Sequence, residues 1–128
     1  MTQTKHLLVG GLVAMGFDPT GLYLLTVSHS GRGLFVAGTW ERVARDAGIV
    51  YPCDGKAVGI GPIQGQLVEV LERDDQREQI AMVSPDGRFH LLGSSEGITI
   101  TEPDGAANGS QPARRVPMSA LRVAGSRR

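Results

Sequence analysis

Residues 17–31, FDPTGLYLLTVSHSG, and residues 83–97, VSPDGRFHLLGSSEG, state one phrase twice, 66 positions apart. Asp18-Pro19-Thr20-Gly21 aligns with Ser84-Pro85-Asp86-Gly87. Beyond the turn Tyr23 meets Phe89, Leu25 meets Leu91, Ser28 meets Ser94 and Gly31 meets Gly97. The chemistry is that of a β-turn feeding a hairpin. Asp or Ser bonds the backbone ahead of the turn, Pro fixes φ near about −65°, and Gly accepts the positive φ on leaving it. A strand follows, then a tight turn ending in Gly at SHSG or SSEG, then a return strand.

The segments around this phrase have the same chemistry. Gly and Pro recur at short intervals through the first hundred residues, and the runs between them are rich in Val, Ile, Leu, Thr, Tyr and Phe. That pattern predicts an all-β body with strands over 6–13, 22–28, 33–37, 57–60, 66–72, 78–83, 88–92 and 98–102. GITITE alternates most cleanly, with Ile98 and Ile100 on one face and Thr99 and Thr101 on the other. TWERVARDAG, 39–48, fits a short helix, with Trp40, Val43, Ala44 and Ala47 on one face and Thr39 and Gly48 as caps. It fits a strand equally well.

The doubled phrase resembles the inner hairpin of a β-propeller blade of the WD-repeat or TolB type, in which an SPDG-like turn precedes a strand and a second strand follows. The resemblance covers roughly half the chain. It implies blade-like units over about 6–46 and 77–102, with 40–45 as the outer strand of the first and no outer strand evident for the second. Propellers close with four or more blades, and this chain has material for two, so a closed propeller within one chain is excluded. The expected fold is therefore two blade-like antiparallel units forming a small sandwich or open barrel, with at most one short helix and an inserted hairpin near 56–72.

A chain of 128 residues is one domain on length alone. We expect that domain to span 1–102 and the remainder, 103–128, to be a basic flexible tail, because it loses aromatic and β-branched residues and gains Gly, Ala, Ser and Arg. VPMSALRV, within it, admits a strand or a short helix. Formal net charge is zero but unevenly spread: residues 1–102 hold eight Lys or Arg against twelve Asp or Glu, and 103–128 hold five Arg against one Asp. The single cysteine, Cys53, excludes an internal disulfide framework and a multi-cysteine zinc site, and favours a reducing cytoplasm. KHLLVGGLVAMG is too short and lacks a clean cleavage site for a signal peptide, and no apolar run approaches the roughly 20 residues of a membrane span.

Chemistry-bearing motifs are sparse. SHSGRG looks like the G-x-S-x-G nucleophile elbow of a hydrolase, but Ser28 and Arg32 stand at its two Gly positions around Ser30, and a strand follows. The duplicate SSEG marks the slot as a hairpin turn. His6, His29 and His90 are scattered, and His90 alternates with Phe89 and Leu91, which sets it on the opposite face of its strand. GIGPIQG, 59–65, is not followed by the helix a dinucleotide site requires. ERDDQRE lacks the spacing of a calcium loop and reads as a solvated turn. We expect no cofactor and no metal site.

The expected function is a non-catalytic protein-binding module, with bacterial immunity or antitoxin proteins as a concrete example by size and fold class alone. Its candidate contact residues are His29, Arg32, Trp40, Arg42 and Tyr51, since Trp, Tyr and Arg dominate binding hot spots. Trp40 reads first as a core anchor, with the contact role as its alternative. The alternative is a protomer of a homo-oligomer that completes a β assembly, and a third is a small hydrolase using Ser30 with a histidine. No membrane contact is expected. Specific nucleic-acid binding is not supported by an acidic, aromatic-poor body. Only the tail arginines Arg114, Arg115, Arg122, Arg127 and Arg128 suit nonspecific phosphate contact.

Overall fold

The structure, a computed structural model, describes residues 3–48 and 50–103. Thr4–Thr101 form one compact unit. Of the other, Met1–Gln3 with Glu102–Arg128, only Gln3, Glu102 and Pro103 are described. The expectations placed on 104–128, including the five tail arginines, lie outside the described residues. Among the described residues no helix is long and apolar enough to cross a membrane.

Among the described residues eleven strands follow one another: β1 Gln3–Leu7, β2 Leu12–Phe17, β3 Tyr23–Ser28, β4 Gly31–Val36, β5 Arg42–Asp46, β6 Lys56–Val58, β7 Leu67–Glu69, β8 Leu71–Glu72, β9 Ile80–Val83, β10 His90–Ser94 and β11 Gly97–Glu102. They form a five-stranded sheet in the order β5-β4-β3-β2-β8, a four-stranded sheet β1-β11-β10-β9 and the hairpin β6-β7. The protein is all-β and antiparallel, and none of its sheets closes into a barrel. The helix allowed over 39–48 does not form: β5 occupies 42–46 and pairs with β4. The helical spacing of Val43, Ala44 and Ala47 loses to the ladder that β4 offers. Among the described residues the helical turn is 3-10, at Gly61–Ile63.

The sequence duplication is also a structural one. β2 ends at Phe17 and β9 at Val83, β3 ends at Ser28 and β10 at Ser94, and β4 and β11 begin at Gly31 and Gly97. Each pair keeps the spacing of the repeat. The turns match bond for bond. Gly21 N donates to Asp18 O (2.9 Å) as Gly87 N does to Ser84 O (2.8 Å), and Asp18 N donates to Tyr23 O (3.0 Å) as Ser84 N does to Phe89 O (2.9 Å).

Inside the turns the side chains exchange roles. In the first, Thr20 Oγ1 donates to Asp18 Oδ2 (2.5 Å), and Asp18 Oδ1 accepts Tyr23 N (2.9 Å). In the second, the hydroxyl comes first: Ser84 Oγ donates to Asp86 Oδ1 (2.6 Å) and accepts Phe89 N (3.0 Å). One hydroxyl–carboxylate bond thus closes both turns with donor and acceptor transposed. Thr20→Asp alone is expected to destabilise by about 1–3 kcal/mol, because it faces two carboxylates across the turn. Adding Asp18→Ser should return urea stability to within about 1 kcal/mol of the parent. A double variant no better than Thr20→Asp would break the equivalence.

The Ser84 hydroxyl, and after it the Arg88 N–H, hold the Asp86 carboxyl below its ordinary value of 3.8. The fold therefore favours the charged form. That contribution is complete above the unfolded value and is lost as pH falls through the lower, folded one.

The second sheet obtains its fourth strand from the start of the chain. β1 lies beside β11 where β5 lies beside β4. The correspondence extends to close contacts. A Cβ on Gly31 would lie 2.2 Å from Asp46 O at the end of β5, and one on Gly97 would lie 2.3 Å from Leu7 O at the end of β1. Both glycines hold left-handed backbone, φ 123° and 144°. The outer strand missing from the second unit is thus β1, and the strand expected over 6–13 is broken between Leu7 and Leu12. At the break Gly11 N donates to Ser95 O (2.8 Å) and Gly11 O accepts His29 N (3.1 Å).

Alternation on β2–β4 gives the five-stranded sheet two apolar faces. Met15, Leu24 and Phe35 join Leu7, Ile80, Leu91, Ile98 and Ile100 of the other sheet in one core. Ala14, Leu25, Val27 and Leu34 face Ala57, Ile60, Ile63, Val68 and Val70 of the insert in a second. The five-stranded sheet is therefore the middle of three layers, which explains why β3 is buried on nearly every residue.

Candidate binding site

β5 is the terminal strand of the middle layer, and no strand pairs with its outer edge among the described residues. Its register against β4 sets Arg42 opposite Phe35, Ala44 opposite Leu34, Arg45 opposite Gly33 and Asp46 opposite Arg32. Arg42 and Arg45 are exposed. Neither has an acidic partner among the described residues. An edge carrying two unpaired guanidinium groups offers backbone hydrogen-bonding groups and charge together.

Two depressions adjoin this strand. One, of about 130 Å³, is lined by Thr26, Ser28, Ser30, Phe35, Arg42 and Arg45. Its hydroxyls are largely engaged: Ser28 Oγ donates to Gly31 O (3.1 Å) and lies 2.9 Å from Ser30 Oγ, and Thr26 Oγ1 donates to Gly33 O (3.3 Å). The other, of about 430 Å³, lies between β5 and the 59–65 turn and is lined by Arg32, Arg45, Asp46, Gly59, Gly61 and Gln64.

Arg32 is the most constrained charged group here. Its side chain is only 10% exposed, Nη2 donates to Asp46 Oδ2 (2.7 Å) and Nη1 to Val58 O (3.0 Å). Its buried Nε–H has no hydrogen-bond partner among the described residues. A buried donor left unmatched costs about 1–3 kcal/mol. Asp46 is itself oriented by Gly48 N, which donates to Oδ1 (2.8 Å).

The five contact residues expected from sequence separate. Trp40 is buried in the core, its ring edge-on to Phe89 at 5.1 Å and to Phe17 at 6.5 Å, so it is an anchor between the two repeated units and is not part of a surface. His29 and Tyr51 form an exposed pair, Nδ1 to OH 3.3 Å with rings edge-on at 6.2 Å. Arg32 and Arg42 adjoin β5 on opposite faces of the sheet: Arg42 is exposed opposite Phe35, and Arg32, its side chain 10% exposed, stands opposite Asp46. Arg45 and Gln64 were not singled out. The signal for Arg45 was the strand reading of 39–48, which places it on the face of Arg42 once the bulge at Leu34/Phe35 is counted.

The other motifs fall into structural roles. Asp74 and Arg77 close the ERDDQRE turn through paired backbone bonds of 3.0 Å, and Asp74 Oδ1 accepts Gln76 N (2.9 Å). His6 Nδ1 lies 3.2 Å from Thr99 Oγ1 across neighbouring strands. His90 is exposed between buried Phe89 and Leu91, on the face opposite to theirs. Among the described residues no three His, Cys, Asp or Glu side chains converge as metal ligands. No protein-family model, curated protein or solved structure matches the chain.

Proposed function

We propose that the protein is a non-catalytic binding module that receives an acidic, extended segment of another protein along β5. The observation that carries this reading is the outer edge of β5, unpaired among the described residues, with Arg42 and Arg45 exposed and without acidic partners among them. Strand addition gives affinity through backbone bonds, and alternate side chains give specificity. A partner strand with Asp or Glu facing the two arginines would gain cross-strand ion pairs. The likeness to propeller blades supports a recognition scaffold, since one repeated unit is a four-stranded meander, β2–β5, and the other is a three-stranded meander, β9–β11, flanked by β1.

The test begins with co-purification from the native host. A stoichiometric partner should be lost on Arg42→Glu/Arg45→Glu, with thermal unfolding unchanged, and its affinity should fall at least tenfold between low and 0.5 M salt. A partner held equally by the double variant would overturn the β5 site. Light scattering should give a monomer, and a discrete oligomer would favour the homo-oligomeric alternative.

A further inference from the structure

The smaller depression beside β5 carries Ser28, Ser30, Arg42 and Arg45 in its lining, and no acidic residue among those described lines it. We propose that this depression seats a phosphoryl group, carried on a phosphorylated serine or threonine of the segment that β5 receives. The proposal rests on the strand-addition reading and names the anion at its centre.

The β4–β5 ladder brings two guanidinium groups to one place. Arg42 pairs with Phe35 and Arg45 with Gly33, and the register shift between Leu34 and Phe35 returns both arginines to one face of the strand. Phe35 and Gly33 line the same depression. Arg32 and Asp46 belong to the opposite face and neutralise each other, Nη2 donating to Oδ2 at 2.7 Å. What remains is two exposed like charges with no acidic partner among the described residues. An anion held between them relieves their repulsion.

Charge and size choose that anion. A phosphorylated side chain carries about 1.5 to 2 negative charges at neutral pH and three acceptor oxygens, which two planar guanidinium forks match in charge and in geometry. A single carboxylate would leave one guanidinium unbalanced. The volume, about 130 Å³, admits one such group and falls short of the roughly 300 Å³ at which whole small ligands are enclosed, so the rest of the ligand lies outside, along β5. The space exists because residue 33 has no side chain: a Cβ there would stand 3.1 Å from Thr26 Oγ1 and 3.3 Å from the Phe35 ring. Thr26 and Ser28 give their protons to Gly33 O and Gly31 O. The anion is therefore met by the arginines and by Ser30, whose exposed hydroxyl can turn from Ser28 Oγ onto an entering oxygen. Leu8, almost fully exposed, offers apolar contact to the chain that carries the group. A lipid headgroup shares the phosphoryl chemistry, but a strand edge unpaired among the described residues fits a peptide backbone.

The experiment titrates the full chain with phosphoserine capped at both ends and follows amide and arginine Nε–H signals in ¹⁵N–¹H correlation spectra. Capped glutamate, inorganic phosphate and phosphatidylcholine vesicles containing phosphatidic acid are run as parallel arms. Saturable shifts are expected at the Arg42 and Arg45 Nε–H groups and at the amides of 28–33, with capped phosphoserine bound at least tenfold more tightly than capped glutamate and more tightly than inorganic phosphate. Ser30→Asp, which sets a carboxylate in the depression and leaves β5 unchanged, should weaken capped phosphoserine at least tenfold with thermal unfolding unaltered. Should that variant unfold, Arg45→Lys, which keeps the charge and loses the fork, is expected to weaken it about fivefold. Capped glutamate bound as tightly as capped phosphoserine would overturn the phosphoryl assignment and leave β5 an acceptor of acidic segments. Tighter binding of inorganic phosphate, binding of the vesicles alone, or no saturable shift at these residues would overturn it as well. The strand-addition reading is then judged separately, by partner capture with Arg42→Glu/Arg45→Glu.

Discussion

Cutting Trp40 back to alanine is expected to remove about 3–5 kcal/mol, a large share of the 5–15 kcal/mol that stabilises a domain of this size. The indole descends from the β4–β5 turn, where Trp40 N donates to Val36 O (2.7 Å), and fills the space between Phe17 and Phe89. Its backbone adds a second effect. Trp40 sits at φ 60°, which costs an L-residue about 1–2 kcal/mol. Glycine escapes that cost, whereas at an ordinary position it is worse than alanine by about 0.5–1 kcal/mol. Trp40→Gly should therefore be no less stable than Trp40→Ala, an inversion of the usual order measurable from denaturant midpoints at constant m. A glycine variant weaker by about 1 kcal/mol would mean that residue 40 is not held at positive φ.

Gly31→Ala and Gly97→Ala are expected to be comparably severe and to act on different sheets. Each would place a side chain on left-handed backbone, at a cost of about 1–3 kcal/mol, and drive its Cβ into a backbone carbonyl at 2.2 or 2.3 Å. The carbonyl cannot move without its strand. Gly31→Ala should loosen β5 through Asp46, and Gly97→Ala should loosen β1 through Leu7. Hydrogen exchange separates the two: the alanine at 97 should remove protection from 4–7 and leave 42–46 intact, and the alanine at 31 should do the reverse. Protection lost equally from both strands in both variants would contradict the assignment.

The repeat was legible because its information is local. A Pro-Gly turn and a Gly-ended hairpin are written in residues a few positions apart, and the bond pattern of Asp18 and Ser84 follows from their types. The outer strand of the second unit was not legible, since β1 reaches β11 through tertiary pairing that periodicity does not encode. HLLVGGLV reads as one apolar run, and only the bonds of Gly11 to Ser95 and His29 show where it breaks. Segment 39–48 satisfied both periods, and the ladder of β4 decided between them. Among the candidate contact residues, Arg42 is exposed on β5, and Trp40, which residue type offers both as a contact and as a core anchor, takes the core place. Residue type does not tell a core aromatic from an exposed one. Arg32 was chosen as a surface group, and its burial depends on Asp46 and on Val58, the latter 26 positions away.

The placement of β1 also governs the order in which the chain can fold during its synthesis. His6 meets Thr99 across 93 positions. At about 5–20 residues per second, β1 emerges from the ribosome some 5–20 s before its neighbour exists. β2–β5 pair consecutively and need no later residue for their ladder. The middle layer is thus free to form while the nascent chain is still growing, with one apolar face uncovered until β9–β11 arrive, and truncated nascent chains ending before residue 80 should recruit holdase chaperones through that face.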